Sequence, residues 1–157
     1  MTTKKHSDII AKQKLIAEKY FANSKPSQVT DIYWLYASRK QGNYPKSTPN
    51  SGKWLIFVDI KNLDLVWEKI KAATENGLLG ETSKVSTSKP NPNASKQNLK
   101  VICVYTYDYT DRADVVRIRE ELRRIGITNK IPYKTDTATL SEQYEVKGHK
   151  QISVYYE

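Results

Sequence analysis

The chain has 157 residues, of which 38% are hydrophobic, and its 26 lysines and arginines outnumber 17 acids for a formal net charge of +9. This length suits one domain with a real core and a wet surface, and the charge gives the sign of a partner without its identity. Cys103 is the only cysteine; it lies in the apolar run 101–104, which excludes an intramolecular disulfide and a cysteine metal cluster and reads as a structural thiol.

In chain order, residues 1–25 are expected to form a basic N-terminal helical segment, and residues 26–157 a single α+β domain. Ser7 or Asp8 would cap a helix running to about Phe21, with Ile9, Ile10, Leu15, Ile16 and Tyr20 on one apolar stripe. Pro26 breaks that pattern, and the aromatic run 32–37 reads as a strand. The turn-rich loop 41–52 delivers the chain into a near-continuous apolar strand, 53–60. A helix over 63–79 follows, with Asn62 or Asp64 near its cap and Gly77 and Gly80 at its end. A polar strand over 81–88 and a proline- and asparagine-rich loop lead to the strand 99–107. The helix 111–125 has acids at its start and Arg123 and Arg124 before Gly126, matching the macrodipole at both ends. Two last strands are expected at 130–134 and 151–156, separated by the polar loop 135–150.

No apolar stretch has the length of a membrane span, and no signal-peptide core precedes the first helix. A cytoplasmic location and no membrane partner are therefore expected, and the Asn93-Ala94-Ser95 sequon is read as chance. Two strands between successive helices favour a curved, mostly antiparallel sheet with the helices packed on one face. Its other face stays open, rimmed by the loops 41–52, 90–98 and 135–150, and is a natural place for a ligand.

The stretch from Glu81 to Asp108 carries the strongest chemical signal, because Lys84, Lys89, Lys96 and Lys100 occur there with no acid between its ends. In Lys84-Val85-Ser86-Thr87-Ser88-Lys89, hydroxyls alternate with ammonium groups that can neutralise and hydrogen-bond phosphate oxygens. The same pattern also fits an edge strand protected by lysine against pairing with another chain.

Gly52-Lys53-Trp54-Leu55-Ile56 followed by Leu63-Asp64-Leu65-Val66-Trp67 resembles the matching strand and helix of the cap-binding translation initiation factor of the 4E type. Asp136-Thr137-Ala138-Thr139 resembles a loop of that factor close to its cap site. A closer resemblance is to the basophilic-leukaemia-expressed protein family, which shares that fold. It runs through 52–56, Lys84-Val85-Ser86-Thr87, Val101-Ile102-Cys103-Val104-Tyr105-Thr106-Tyr107 and Tyr133-Lys134, and spans residues 32–156. The resemblance implies that Trp34 falls where the factor has one of two tryptophans that sandwich the methylated base, a use suited to an exposed indole. The factor's next residue, a glutamate that reads the base edge, is here Leu35, and its second sandwiching tryptophan lies in a part this shorter chain lacks. Lys84 and Lys89 fall near the basic residues that grip the cap phosphates. Loss of the base-edge contact argues against strict messenger-cap specificity.

The chain is therefore expected to be a non-catalytic binding protein for a phosphorylated, nucleotide-like ligand or RNA end on the open face. Lys84 and Lys89 would grip phosphate, Trp34 would stack or else serve as an ordinary sheet-face aromatic, and Arg39 and Lys134 are further candidates; no cofactor or metal is expected. One alternative is an enzyme. The basophilic-leukaemia-expressed proteins are also likened to bacterial phosphothreonine lyases, which use a lysine base and a histidine acid, and Lys84, Lys134 and His149 could fill those roles. No glycine-rich phosphate loop, histidine metal motif or serine nucleophile elbow accompanies them. The other alternative is a general RNA-surface protein, in which Lys4, Lys5, Lys12, Lys14 and Lys19 join the lysine strand in tracking a phosphate backbone.

Overall fold

The structure, a computed structural model, describes residues 2–92, 96–137 and 153–157. His149, the 93–95 sequon, Ala138, Thr139 and the expected strand start at 151 lie outside the described residues. The described elements are α1 (Thr2–Tyr20), β1 (Trp34–Ser38), β2 (Gly52–Asp59), α2 (Ile60–Glu75), β3 (Thr82–Ser86), β4 (Leu99–Thr106), α3 (Arg112–Arg124), β5 (Pro132–Thr135) and β6 (Tyr155–Tyr156). A single 3-10 turn, Pro26–Gln28, precedes β1.

The strands make one curved antiparallel sheet in the order β1-β3-β4-β2-β5-β6. The order of elements is the expected helix and two strands, three times over, but β1 and β2 are not a hairpin. β3 and β4 lie between them, so the loop after β1 crosses to the far side of the pair. The centre of the sheet is the eight-residue register of β2 on β4, from Gly52↔Thr106 to Asp59↔Leu99.

Helix ends explain where the expected boundaries shift. Asp59, not Asn62 or Asp64, caps α2, its carboxylate accepting from the Lys61 amide at 2.9 Å. That satisfies one of the orphan donors every helix start presents. Asp64 instead accepts from the amide and hydroxyl of Ser27, at 2.9 and 2.5 Å, and ties the 3-10 turn to α2. The other end stops at Glu75 because Gly77 takes a left-handed φ of 77°. Leu78 then donates to the Ala73 carbonyl and Gly77 to the Thr74 carbonyl, the paired bonds of a Schellman ending.

Strand alternation sends Trp54, Ile56 and Val58 of β2 to the same side as Ile102 and Val104 of β4, and both α2 and α3 pack there. Trp54 is fully buried and its indole donates to the Val115 carbonyl of α3 at 3.2 Å; Trp67 of α2 is 4% exposed. Burial of these aromatics supplies a large part of the apolar driving force.

The N-terminal helix lies against β1 on the opposite side of the sheet. Ala17 is buried, Lys14 donates to the Thr82 hydroxyl at 3.2 Å, and the Ser38 hydroxyl donates to Glu18 at 2.6 Å. The apolar stripe read from the sequence is not the face that docks: Ile9, Ile10, Leu15, Ile16 and Tyr20 are all exposed. Thus α1 covers one flank of the face expected to be open.

Candidate functional site on the open face

The side chains of β1, β3, β4 and β2 that point away from α2 and α3 form rows across the sheet. The register aligns Tyr36 with Lys84, Lys84 with Cys103, and Cys103 with Leu55. An adjoining row pairs Tyr105 with Lys53 and Lys53 with Lys134. Around these rows is a hollow of about 610 Å³. Its floor holds Trp34, Tyr36, Lys84, Tyr105 and Lys53, with α1 at one wall through Ile10 and Lys14 and Tyr44 and Asp136 at the other.

Lys84 is the centre of this arrangement. Its ammonium sits 3.9 Å from the centroid of the Trp34 ring and 5.9 Å from that of Tyr105. Burial draws its pKa below lysine's ordinary value; the charge of Lys53 lowers it further, and Asp136 works against the shift. Lys53 is only 8% exposed, places its ammonium 5.8 Å from the Tyr105 ring centroid, and donates to Asp136 at 2.9 Å. Ser51 holds the other carboxylate oxygen of Asp136 at 2.6 Å. Beneath the lysines, Cys103 is a free, buried thiol, and burial pushes its pKa up.

The four lysines of the acid-free stretch are divided between two places. Lys84 enters the central hollow, and Lys89, Lys96 and Lys100 line a second one at the far end of the sheet. Of these, Lys100 is opposite Val58 in register and only 7% exposed. Nor is the neighbourhood acid-free in space, since folding brings Asp136 beside Lys53. The hydroxyls expected to join a phosphate grip are already bonded within the chain. Ser86 accepts from the Val101 amide at 2.9 Å, Thr87 donates to the Ile32 carbonyl, and Ser88 donates to the Ser27 carbonyl at 2.5 Å. Their bonds knit β3 to its neighbours, as side-chain hydroxyls do when a backbone acceptor is nearer than any ligand.

The other nominated residues divide as well. Trp34 borders the central hollow, while Leu35 is 2% exposed on the packed side, so position 35 does not address the hollow whatever its side chain. Arg39 stands apart: its guanidinium donates to the carbonyls of Leu79 at 2.6 Å, Gln41 at 3.2 Å and Gly80 at 3.3 Å, and lies over the Tyr44 ring. Lys134 is across from Lys53 in register, one strand outside the hollow. Sequence reasoning did not nominate Lys53 or Tyr105, and placed Asp136 only in a loop resembling one close to the factor's cap site. A lone lysine in the apolar run after Gly52 was a usable signal, but its alignment with Tyr105 and Asp136 depends on contacts with residues 52 and 83 positions further along the chain.

Solved structures with this architecture share little sequence with the chain. It is similar to C. elegans eIF4E-3, solved with the 4E-binding protein Mextli and a cap analogue, with a TM-score of 0.55, 17% identity, and coverage of 79% of this chain and 75% of that one. Ascaris suum eIF4E-3, solved with an m2,2,7G cap, gives 0.51 and 18% over 74% and 70%. Schistosome eIF4E, solved with m7GpppA and 4E-BP, gives 0.51 and 12% over 69% of this chain; the chain spans 59% of that factor's length. At such identities the likeness shows the fold. The model of the basophilic leukemia-expressed protein Bles03 family matches residues 12–140, more than half of the sequence, and the chain belongs to that family.

Proposed function

We propose that the chain is a non-catalytic binding protein that takes a phosphorylated, nucleotide-like ligand in the central hollow of the open face. The observation that carries this reading is the Lys84 ammonium poised 3.9 Å over the Trp34 ring. A nucleotide offers a dianionic phosphate and a flat π-surface, and these two side chains meet one each. When a phosphate draws the ammonium aside, it uncovers an indole face on which a base can stack. The roughly 610 Å³ of space falls in the range of small-molecule sites.

Lys53 adds a second positive charge to the floor, with Asp136 fixing its position. The acceptor oxygens of Asp136 can also meet donors on a base or ribose. Tyr36 and Tyr105 complete the floor with phenols that burial keeps neutral, since it pushes both pKa values up. The folds that bind caps support a nucleotide in this place, while the carboxylates among the described residues of the hollow are Asp136 and the exposed Glu81. The ligand class is accordingly a nucleotide or an RNA end rather than one named base.

Calorimetry with nucleoside mono-, di- and triphosphates and capped dinucleotides tests the proposal. Wild type should bind at least one of them, and Lys84→Glu should lose binding while its thermal unfolding stays cooperative. Equal binding by both proteins removes Lys84, and with it the proposal.

A further inference from the structure

The open face carries a second hollow that the proposed function does not use. It encloses about 560 Å³ where β1 begins and β3 ends, and is lined by Tyr33, Phe57, Lys89, Lys96 and Lys100 among others, with no acid among the described residues of its walls. Among the described residues, Trp34 alone borders both hollows. The chemistry of the first is repeated in the second: the Lys89 ammonium lies 4.4 Å from the Tyr33 ring centroid, much as Lys84 lies over Trp34. Lys89 is also held by the Asp31 carbonyl at 3.3 Å. Phe57 and Tyr33 are 52% and 41% exposed, and at Phe57 β2 is paired with β4 alone.

Exposed aromatic faces interleaved with ammonium groups along one continuous surface are the pattern by which proteins follow a single nucleic-acid strand. We propose that the outer hollow is a second nucleotide subsite, so that the ligand is a single-stranded oligonucleotide passing the Trp34 wall and not a free mononucleotide. This rests on the proposed function, since the first nucleotide occupies the central hollow. In the outer hollow, Phe57 or Tyr33 stacks the second base, and Lys89 and Lys96 neutralise the phosphates that follow. A mononucleotide would leave the outer hollow and three of the four lysines of the acid-free stretch without a role.

Titration of a 5′-phosphorylated mononucleotide, dinucleotide and tetranucleotide at each of two salt concentrations tests this. Inorganic tripolyphosphate and a phosphothreonine peptide serve as controls. The dinucleotide should bind about tenfold tighter than the mononucleotide, the gain expected of one stacked base, and with a steeper salt dependence. Lys96→Glu and Phe57→Ala should each erase most of that gain and leave mononucleotide binding unchanged, whereas Lys84→Glu should weaken every nucleotide. A dinucleotide no tighter than the mononucleotide, or a gain untouched by both outer-hollow variants, overturns the inference and leaves the proposed function intact. Tripolyphosphate or the phosphopeptide matching the dinucleotide also overturns it. Failure of all nucleotides to bind overturns both.

Discussion

The two faces of the sheet bury their central residues by different means. On the packed face Trp54, Ile56, Ile102 and Val104 are at most 3% exposed because α2 and α3 lie on them. On the other face Leu55 and Cys103 are nearly as buried, at 6% and 3%. There the neighbours are Lys84, in register with Cys103, and Tyr105, two residues along β4, whose half-buried side chains lie in the hollow beside Lys53. Lysine stems and tyrosine rings cover apolar surface while keeping their polar ends near water. A cover of packed helices is released only by unfolding, but a cover of lysines can be drawn aside by an anion. Equal burial can thus hide a core on one side and a site on the other.

Tryptophan replacement should break the molecule on one face only. Trp67→Ala and Trp54→Ala each remove a buried indole and are expected to cost about 3 to 5 kcal/mol in denaturant unfolding. Trp34→Ala, on the open face, should cost less than about 1 kcal/mol. A Trp34→Ala protein as unstable as the other two would show that the open face is a second core.

Gly52 sharpens the same contrast from the backbone. A Cβ there would stand 2.3 Å from the Tyr133 hydroxyl and 2.6 Å from two ring carbons. Tyr133 is fully buried and its hydroxyl is bonded to Thr106 at 2.6 Å, so the ring has nowhere to go. Gly52→Ala should destabilise by about 1 to 3 kcal/mol through overpacking, read as a lower denaturation midpoint at unchanged slope. On the open face, Lys84→Glu should shift stability by less than about 1 kcal/mol and weaken nucleotide binding at least about tenfold, the worth of a lost charge-assisted contact.

How far the sequence revealed these faces follows from the distance over which each signal acts. Caps, glycine stops and apolar runs are local, so the acidic start of the 111–125 helix, its stop at Gly126 and the apolar strand 53–60 were legible in the chain. The cap of α2 was displaced by a few residues because Asp59, Asn62 and Asp64 all have capping chemistry, and only the contact of Asp64 with Ser27 decides among them. The site was legible in part. Lys84 and Trp34 could be nominated singly, and register brings them together. The separation of Lys89 from Lys84 was hidden, because a run of lysines in sequence says nothing of the wall that an aromatic side chain raises between them.

Alkaline titration separates Tyr133 from Lys84 by sign. Tyr133 on the packed face has its phenol pushed up, chiefly by burial, so the folded protein holds the proton that the unfolded chain releases. Its contribution to stability is complete below pH 10.0 and is lost as pH rises above that value, with a slope of up to about 1.4 kcal/mol per pH unit. Lys84 runs the other way. Its pKa is lowered from 10.5, so the folded state bears a cost while the ammonium is charged, and that cost is relieved as pH climbs through the lowered value toward 10.5. Between about pH 9 and 11, stability of Tyr133→Phe should therefore fall less than that of wild type, and that of Lys84→Met should fall more. Both differences should be smaller than the tryptophan effects, and because Lys84 is less completely buried than Tyr133 its share is the smaller of the two. If Lys84→Met tracks wild type throughout this window, the ammonium is as well solvated as a surface lysine, and the half-buried cover of the open face described above is not there.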